Sequence, residues 1–399
     1  MVNFRRASTP DINNLYAGAK TVAPARRDPL NLDLDNDGLE THGILPTAPI
    51  LFDHSGTGLK TATGWVNPDD AFLVLDRNGN NTIDSGKELF GDATALYAGG
   101  TAADGFAALA QEDTNHDGLV NASDAHYANL RLWRDLNQDG ISQTGELFTL
   151  ASQGITALNV ASTANSQLLA NGNQIADLGG FIRSDGSNGT LGAVEQLADV
   201  NLASNPFYSE FTDHIPLTEA AQNMADMQGA GQVRNLREAA SLSTAQGSAL
   251  ASALTAFSAA TTRSDQIAQL DNLLKVWAET SSMATTASGA FAGVNLSVTF
   301  AGVTNGSAAW QAWMDKLSIL ERFNGQTFMA VPAAGTTLAI DFFTTREALL
   351  DAAYAALKES VYGALVMQTR LKPYLDQINL SIGESGMLAV NDENWRRVV

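Results

Sequence analysis

Two acidic segments of twelve residues each, separated by ten residues, constrain this chain more than any other feature. They read DTNHDGLVNASD at 113–124 and DLNQDGISQTGE at 135–146. Each segment has an oxygen-bearing side chain at positions 1, 3 and 5, a glycine at position 6 and a carboxylate at position 12. This is the EF-hand calcium pattern, in which a tight turn aims alternate side chains at one cation and the position 7 carbonyl completes the set.

A single segment of this kind would also fit an ordinary surface turn, because Asp, Asn and Gly are common turn residues. Two complete matches in tandem favour two calcium sites, which we call the Asp113 loop and the Asp135 loop. Their predicted ligands are Asp113, Asn115, Asp117, the Leu119 carbonyl, Asp124, Asp135, Asn137, Asp139, the Ile141 carbonyl and Glu146.

A third candidate, the Asp33 loop, has Asp33, Asp35 and Asp37 at positions 1, 3 and 5. Its position 12 is isoleucine, so a closing carboxylate has to come from elsewhere. We expect this acid to be Glu40 or a distant residue, and the candidates are Asp69, Asp70 and Asp92. The alternative is a solvated acidic turn without a metal.

A fourth candidate, the Asp76 loop, follows the apolar segment 71–75, which we predict to be a strand. Its closing acid comes one residue late, and Asn81 replaces glycine at position 6, where asparagine tolerates the left-handed conformation. Its predicted ligands are Asp76, Asn78, Asn80, Thr82, Asp84 and Glu88. A related turn, the Asp53 loop, lies in a predicted hairpin at 50–66, but it has hydroxyl residues at positions 3 and 5, so we predict no metal there.

Charge and composition exclude several classes of function. Residues 28–150 contain 20 acidic and 5 basic side chains, a net charge of −15, which argues against nucleic-acid binding. The chain has no cysteine, which excludes disulfides and suits a secreted protein that folds without them. No run of 18 apolar residues predicts a membrane span, and the N-terminal residues lack the apolar core of a signal peptide.

The sequence predicts an α+β protein with two domains. Residues 1–27 are polar and weakly basic, and we predict a flexible leader or linker. Residues 28–211 are predicted to form a calcium-loaded module of EF-hand-like loops, short helices and β-hairpins. Within it we expect a helical turn at 147–152, a strand at 155–160, and a hairpin through Phe181 with its turn at 185–189.

Residues 217–399 are richer in Ala, Ser, Thr and Gln, and we predict a mainly helical domain of unknown role. Two apolar stripes at helical spacing indicate core-facing helices, with Thr262 or Ser264 as a cap. The stripes comprise Ile267, Leu270, Leu274 and Trp277, and then Leu349, Ala353, Tyr354, Leu357, Val361 and Leu365. We also predict hairpins at 285–303 and 326–343. The five histidines show no metal-ligand spacing, and we expect surface or loop roles for them.

An ordered series of motifs resembles the self-processing module of RTX proteins, first known in the iron-regulated RTX proteins. The resemblance covers about residues 28–211. Its segments are RDPL at 27–30, LDLDNDG at 32–38, TGWV at 63–66, LDRNGN at 75–80, ELFGD at 88–92, LWRD at 132–135 and NQDGIS at 137–142. This chain departs from the pattern in the depleted Asp53 loop and in Asn81.

The resemblance implies calcium-dependent cleavage of an Asp-Pro bond at the edge of the module, here Asp28-Pro29, and joining of the freed aspartyl end to a lysine amine. It also implies export, by a type I system, of a larger parent protein that could reach a cell-surface partner. The candidate acceptors are Lys20, Lys60, Lys87, Lys275, Lys316, Lys358 and Lys372, or a lysine of another molecule. The alternative is a calcium-stabilised spacer of an adhesin or toxin that catalyses nothing.

The chemistry of Asp28 supports the first interpretation. Its carboxylate can reach its own carbonyl carbon and close a five-membered anhydride, which expels the Pro29 nitrogen. A nucleophile held within the same molecule can have an effective molarity of about 10⁵ to 10⁸ M. Proline favours an extended backbone at the preceding residue, and its tertiary amide is easier to twist. The sequence assigns no acid to protonate the leaving nitrogen.

Overall fold

A computed structural model describes residues 26–45, 47–187, 197–377, 379–382 and 388–391. They fall into two compact units, which divide between Asp213 and His214. The first unit contains all the candidate calcium loops and the Asp28-Pro29 bond. None of the helices in the described ranges is long and apolar enough to cross a membrane.

Short strands make up most of the first unit. They are β1 (Arg26–Arg27), β2 (Leu30–Leu32), β3 (Thr41–His42), β4 (Ile50–Phe52), β5 (Leu59–Thr63), β6 (Trp65–Val66), β7 (Ala71–Val74), β8 (Leu119–Asn121), β9 (Arg131–Trp133), β10 (Leu147–Thr149), β11 (Ile155–Asn159), β12 (Thr163–Leu168), β13 (Gln174–Gly179), β14 (Phe181–Arg183) and β15 (Leu197–Phe211). The helix α1 (Gly105–Ala110) and two 3₁₀ turns, at Tyr127–Asn129 and Ala151–Gln153, interrupt them.

Ten of these strands form one antiparallel sheet, whose main path runs β10-β9-β7-β2-β15-β13-β12. The long strand β15 is central to it, because β13, β2, β1 and β5 all pair with it. A second sheet has the order β14-β11-β8, and β3 pairs with β6. Together with the helices, this sheet confirms the prediction of mixed α and β structure.

Both faces of the sheet are buried. Successive residues of a strand point to opposite faces, so alternate side chains of one strand enter two different cores. In β7, Ala71 and Leu73 pack into one core with Leu30, whereas Phe72 and Val74 pack into another. The second core is aromatic, and Phe52, Trp65, Phe72 and Trp133 lie within 4.6–5.7 Å of one another between the ring centroids of the contacting pairs. Each such side chain contributes roughly 1.5–3 kcal/mol through burial.

The second unit is mainly helical in its described part. Its helices are α2 (Glu219–Gln222), α3 (Leu236–Ala240), α4 (Ala245–Ala259), α5 (Arg263–Ala278), α6 (Ala308–Asn324), α7 (Thr344–Val366) and α8 (Lys372–Leu375). Its strands are β16 (Asn295–Phe300), β17 (Thr337–Phe342), β18 (Asn379–Ile382) and β19 (Leu388–Asn391). Thr262 caps α5 by accepting a hydrogen bond from the Asp265 amide, as predicted.

Several local predictions are confirmed, among them the strands at 71–75 and 155–160, the hairpin at 50–66 and the two apolar helix faces. Two positions of these faces differ from the prediction. In α5, Gln266 is buried and Ile267 is only half-buried, and in α7 Leu350 is buried rather than Leu349. The hairpins at 285–303 and 326–343 are wrong, because β16 and β17 pair with each other in parallel and α6 connects them.

Of two predictions about the end of the module, one needs correction, and the other can be compared only in part. The helical turn at 147–152 is only half right, because 147–149 form a strand that pairs with β9 before the 3₁₀ turn begins. The Phe181 strand, β14, pairs antiparallel with the earlier strand β11. The far side of its predicted turn lies in 188–196, outside the described residues.

Candidate functional site

The candidate calcium loops share one hydrogen-bonding arrangement. In each loop, the carboxylate at position 1 accepts a hydrogen bond from the backbone amide of position 6. The donor–acceptor distance is 2.8–3.1 Å in the loops of Asp33, Asp76, Asp113 and Asp135. The depleted Asp53 loop makes the same bond at 2.6 Å. The first aspartate therefore shapes each turn.

The backbone angles repeat in the same way, because positions 4 and 6 are left-handed in all five loops. Glycine occupies position 6 in four of them, and Asn81 has φ 63° at that position in the Asp76 loop, as predicted. Position 4 is asparagine, glycine, histidine or glutamine. The pairs, in chain order, are Asn36 and Gly38, Gly56 and Gly58, Gly79 and Asn81, His116 and Gly118, and Gln138 and Gly140.

The closing acids of the two complete loops are held identically. Asp124 accepts the amides of positions 2 and 9, Thr114 and Asn121, at 2.7 and 2.8 Å. Glu146 accepts the corresponding amides of its own loop at 3.1 and 3.0 Å. In the Asp76 loop, Glu88 accepts the position 9 amide of Asp84 at 2.9 Å. Glu88, one residue beyond position 12, therefore makes one of the two hydrogen bonds that the closing acid makes in the complete loops.

Asp70 closes the Asp33 loop from a distance. Its carboxylate accepts the amide of Leu34, at position 2, at 3.1 Å, and that of Glu40, at position 8, at 3.0 Å. Burial raises the pKa of Asp70 to about 8. Of the other candidates, Asp69 is exposed, and Asp92 lies beside Asp28 instead.

Three features make these loops fit for a hard cation. Ligand oxygens of Asp33, Asp35 and Asp37 lie within 4.8 Å of one another, and so do those of Glu40, Asp69 and Asp70. Glu88 is 2% exposed, and its Oε1 has no hydrogen-bond partner in the structure. Carboxylates crowded in this way repel each other, and oxygen ligands of this kind suit calcium.

The loops are linked to each other and to the core. At position 8, the Ile83 amide donates to Ser142 Oγ across 2.7 Å, which joins the Asp76 loop to the Asp135 loop. The indole Nε1 of Trp65 donates to Asp135 Oδ2 at 2.8 Å. Trp65 is fully buried, so the aromatic core fixes Asp135, the predicted first ligand of this loop.

The Asp28-Pro29 bond lies along β15 between two short strands. Arg27 pairs with Leu202 and Leu30 pairs with Asp199, so the register continues unbroken past the bond. The Pro29 carbonyl accepts the Val200 amide at 3.1 Å, which fixes the residue after the bond. The chain is therefore held extended on both sides of the predicted cut.

Asp28 is held by the segment that leaves the Asp76 loop. The Asp92 amide donates to Asp28 Oδ1 at 2.9 Å, and the Leu30 amide donates to the Phe90 carbonyl at 2.9 Å. A Cβ on Gly91 would lie 2.7 Å from the Asp28 carbonyl oxygen and 3.2 Å from its Oδ1, so only glycine allows this approach. Burial, and then the Asp92 carboxylate, raise the pKa of Asp28 to about 7.

Two residues at this place were not predicted from the sequence. Asp199, on β15, is 1% exposed, and burial, then the Asp28 carboxylate, raise its pKa to about 8. His54 is 4% exposed and shares a small cavity with Asp28 and Pro29. It lies in the turn of the Asp53 loop, so the predicted loop position is confirmed and the alternative, a surface position, is wrong. Only the pairing of strands far apart in the chain reveals them, and no local motif marks either one.

The lysines differ in their surroundings. In the second unit, Lys275, Lys316, Lys358 and Lys372 each form an ion pair with an aspartate. In the first unit, Lys87 Nζ donates to the Gly56 carbonyl at 2.6 Å, and Lys60 lies on β5. Lys20 lies outside the described residues.

Comparison with known proteins gives two findings. Residues 30–197 match the SPM domain family. The chain is 39% identical over 379 residues to the iron-regulated protein FrpA of Neisseria meningitidis serogroup C. The alignment covers 89% of this chain but 32% of that relative, so the chain spans about a third of its length. Residues 30–197 are thus similar to the SPM domain family, and most of the chain is similar to a part of FrpA.

Proposed function

We propose that this RTX-related chain cleaves its own Asp28-Pro29 bond in a calcium-dependent reaction that passes through an aspartyl anhydride. The proposal starts from the match of residues 30–197 to the SPM domain and from the similarity to FrpA. The observation that carries the proposal is the way the bond is held. Asp28 is fixed by the Asp92 amide on one side, and Pro29 is fixed by the Val200 amide on the other. Such positioning is what an intramolecular attack requires.

The chain's own residues supply the reacting groups. A carboxylate oxygen of Asp28 attacks the carbonyl carbon of the same residue, and the bond to the Pro29 nitrogen breaks. Because the pKa of Asp28 is about 7, a substantial fraction of its carboxyl is ionised at neutral pH. A small cavity of about 10 Å³ adjoins the bond and is lined by Asp28, Pro29 and His54, among others.

Calcium would be held by the Asp33, Asp76, Asp113 and Asp135 loops, where its positive charge offsets the repulsion among the converging carboxylates. The link from these loops to the bond is short. Glu88 belongs to the Asp76 loop, and four residues later the Asp92 amide holds Asp28. Ordering of the loop therefore orders the segment that holds the nucleophile.

The freed Asp28 end would react with water or with a lysine amine. Lys60 and Lys87 belong to the same unit as the bond, whereas Lys275, Lys316, Lys358 and Lys372 belong to the second unit and each forms an ion pair with an aspartate. A lysine of another molecule is an equally good acceptor chemically. Relationship to an RTX-type protein is compatible with a secreted product, and we propose type I export for it.

The test compares wild type with Asp28→Asn after calcium addition, on a denaturing gel and by mass spectrometry. Wild type should lose its first 28 residues, and Asp28→Asn should remain intact although calcium still folds it, because an amide is a poor nucleophile of nearly the same shape. The control is Asp185→Asn, which changes an exposed turn of the same unit. An intact wild-type chain in calcium would favour the spacer function, and cleavage of Asp28→Asn at full rate would exclude the anhydride.

A further inference from the structure

We propose that Asp199 is the general acid that donates a proton to the Pro29 nitrogen when the Asp28-Pro29 bond breaks. This inference rests on the proposed function and adds the residue that the mechanism lacks. Cleavage of an amide needs a proton on the leaving nitrogen, and a positioned side chain can supply it.

The strand register puts Asp199 beside the bond. Asp199 pairs with Leu30, and paired residues of neighbouring strands point to the same face of a sheet. Asp28 is two residues before Leu30 in an unbroken register, so its side chain points to that face as well. Asp199 is thus the diagonal neighbour of the nucleophile.

The hydrogen bonds of Asp199 determine where a proton resides. Its Oδ2 accepts the Gly105 amide at 3.2 Å, whereas its Oδ1 is buried and has no hydrogen-bond partner in the structure. A neutral carboxyl is much cheaper to bury than a carboxylate. Because Oδ2 is already an acceptor, the proton belongs on Oδ1, which leaves it free to be donated.

The surrounding charges give the two carboxyls different tasks. Burial, then Asp28, Asp104 and Asp177, raise the pKa of Asp199 to about 8. Burial and Asp92 raise that of Asp28 to about 7. Asp199 is 1% exposed whereas Asp28 is only half-buried, so Asp199 is the carboxyl that keeps its proton and Asp28 is the one that ionises. Two carboxyls whose surroundings differ in this way divide into acid and nucleophile.

His54 is the other candidate, since it lines the cavity next to Pro29. Its Nε2, however, hydrogen bonds to Thr63 Oγ1 at 3.0 Å, so that nitrogen is engaged. Asp199 has a buried oxygen without such a partner. The geometry therefore favours Asp199, and His54 becomes one of the outcomes of the test.

The step balances in atoms and charge. An Asp28 carboxylate oxygen forms a bond to its own carbonyl carbon, the carbon–nitrogen bond to Pro29 breaks, and the Asp199 proton goes to that nitrogen. The products are a cyclic anhydride, a free secondary amine at Pro29 and an Asp199 carboxylate. When water or an amine opens the anhydride, the proton it releases can restore Asp199.

The experiment measures the cleavage rate of calcium-loaded protein from about pH 6 to about pH 9 for wild type, Asp199→Asn and the control Asp177→Asn. Asp177 is the partner of Asp199 on the next strand, one strand further from the bond. In wild type the rate should rise as Asp28 ionises and fall as Asp199 loses its proton. Asp199→Asn should be at least about 100-fold slower and lose the fall at high pH. Asp177→Asn should keep both limbs, with the fall moved to lower pH because one charge that raises the pKa of Asp199 is removed.

Two further variants keep the outcome decisive. Asp199→Glu keeps an acid and should retain a fall at high pH even if Asp199→Asn does not fold by circular dichroism; a flat profile in this variant would contradict the proposal. Wild-type kinetics in Asp199→Asn, with Asp28→Asn inactive, would overturn the role of Asp199 and leave the self-cleavage intact. Loss of the high-pH limb in His54→Gln alone would assign the proton to His54 instead.

Discussion

The reactivity proposed for Asp28 depends on the two residues that follow Phe90. Gly91 allows the backbone to approach both the carbonyl oxygen and the carboxylate of Asp28, and the Asp92 amide then fixes that carboxylate. The nucleophile is thus aimed by main-chain atoms, whose position a surface substitution elsewhere would not change.

Gly91→Ala should slow cleavage by about tenfold to about a hundredfold, because its Cβ would push Asp28 out of the attacking geometry. The expected displacement follows from the 2.7 Å contact with the Asp28 carbonyl oxygen. The rate is measured on calcium-loaded protein. Gly363→Ala is the control, since its Cβ would meet nothing within 4 Å. A wild-type rate in Gly91→Ala would show that the segment does not position Asp28.

At the level of elements, the candidate calcium loops share one turn, but the carboxylate that closes the turn comes from different places in the chain. In the Asp113 and Asp135 loops the closing acid belongs to the same twelve residues, whereas Asp70 reaches the Asp33 loop from 30 or more positions away. The Asp33 loop, incomplete in sequence, is therefore complete in space.

Asp70→Asn should remove one calcium ion from the number bound, because a neutral amide cannot replace the charge that closes the Asp33 loop. Asp185→Asn is the control, because Asp185 lies in an exposed turn of the same unit and outside the acidic clusters. Calorimetric titration of both variants gives the number of ions bound. An equal or larger loss in Asp185→Asn would show that Asp70 is not the closing acid.

The indole of Trp65 connects the aromatic core to the Asp135 loop. Trp65→Phe should weaken calcium binding at this loop by about tenfold or more, since outer hydrogen bonds to metal ligands have effects of that size. Trp133→Phe is a close control, because Trp133 is equally buried in the same aromatic cluster and its Nε1 has no hydrogen-bond partner in the structure. If both variants lose the same affinity, packing and not the hydrogen bond explains the loss.

The sequence predicted well what depends on local spacing. The loop positions, the left-handed Asn81 and the two helix faces all follow from residues within a few positions of each other. Asp70 was one of three distant candidates for the closing acid of the Asp33 loop, and local spacing could not choose among them. Two features could not be predicted at all, because they depend on contacts between distant parts of the chain. These are the burial of His54 and the alignment of Asp28 with Asp199, which depends on a strand about 170 residues away.

At the scale of the whole molecule, the candidate calcium ligands all lie in the first unit, and residues 28–150 carry a net charge of −15. Carboxylates brought together without a cation repel one another, so this unit should be poorly stable in chelator. The described part of the second unit has its own apolar core, in which Trp277 and Phe323 pack edge to face. The two units should therefore respond differently to calcium.

Calorimetry in chelator and in millimolar calcium should show this difference on the cleavage-blocked Asp28→Asn chain. Each site filled at a hundred times its dissociation constant stabilises the folded state by about 2.7 kcal/mol, so several sites together should raise the melting temperature of the first unit strongly. The melting temperature of the second unit should not change.

The alanine variant of Glu146 should reduce the calcium-dependent rise in melting temperature. The alanine variant of Asp53 should leave that rise almost unchanged, because the Asp53 loop lacks further acids at positions 3 and 5. A melting curve that is identical in chelator and in calcium would refute calcium binding by these loops, and with it the calcium dependence of the cleavage.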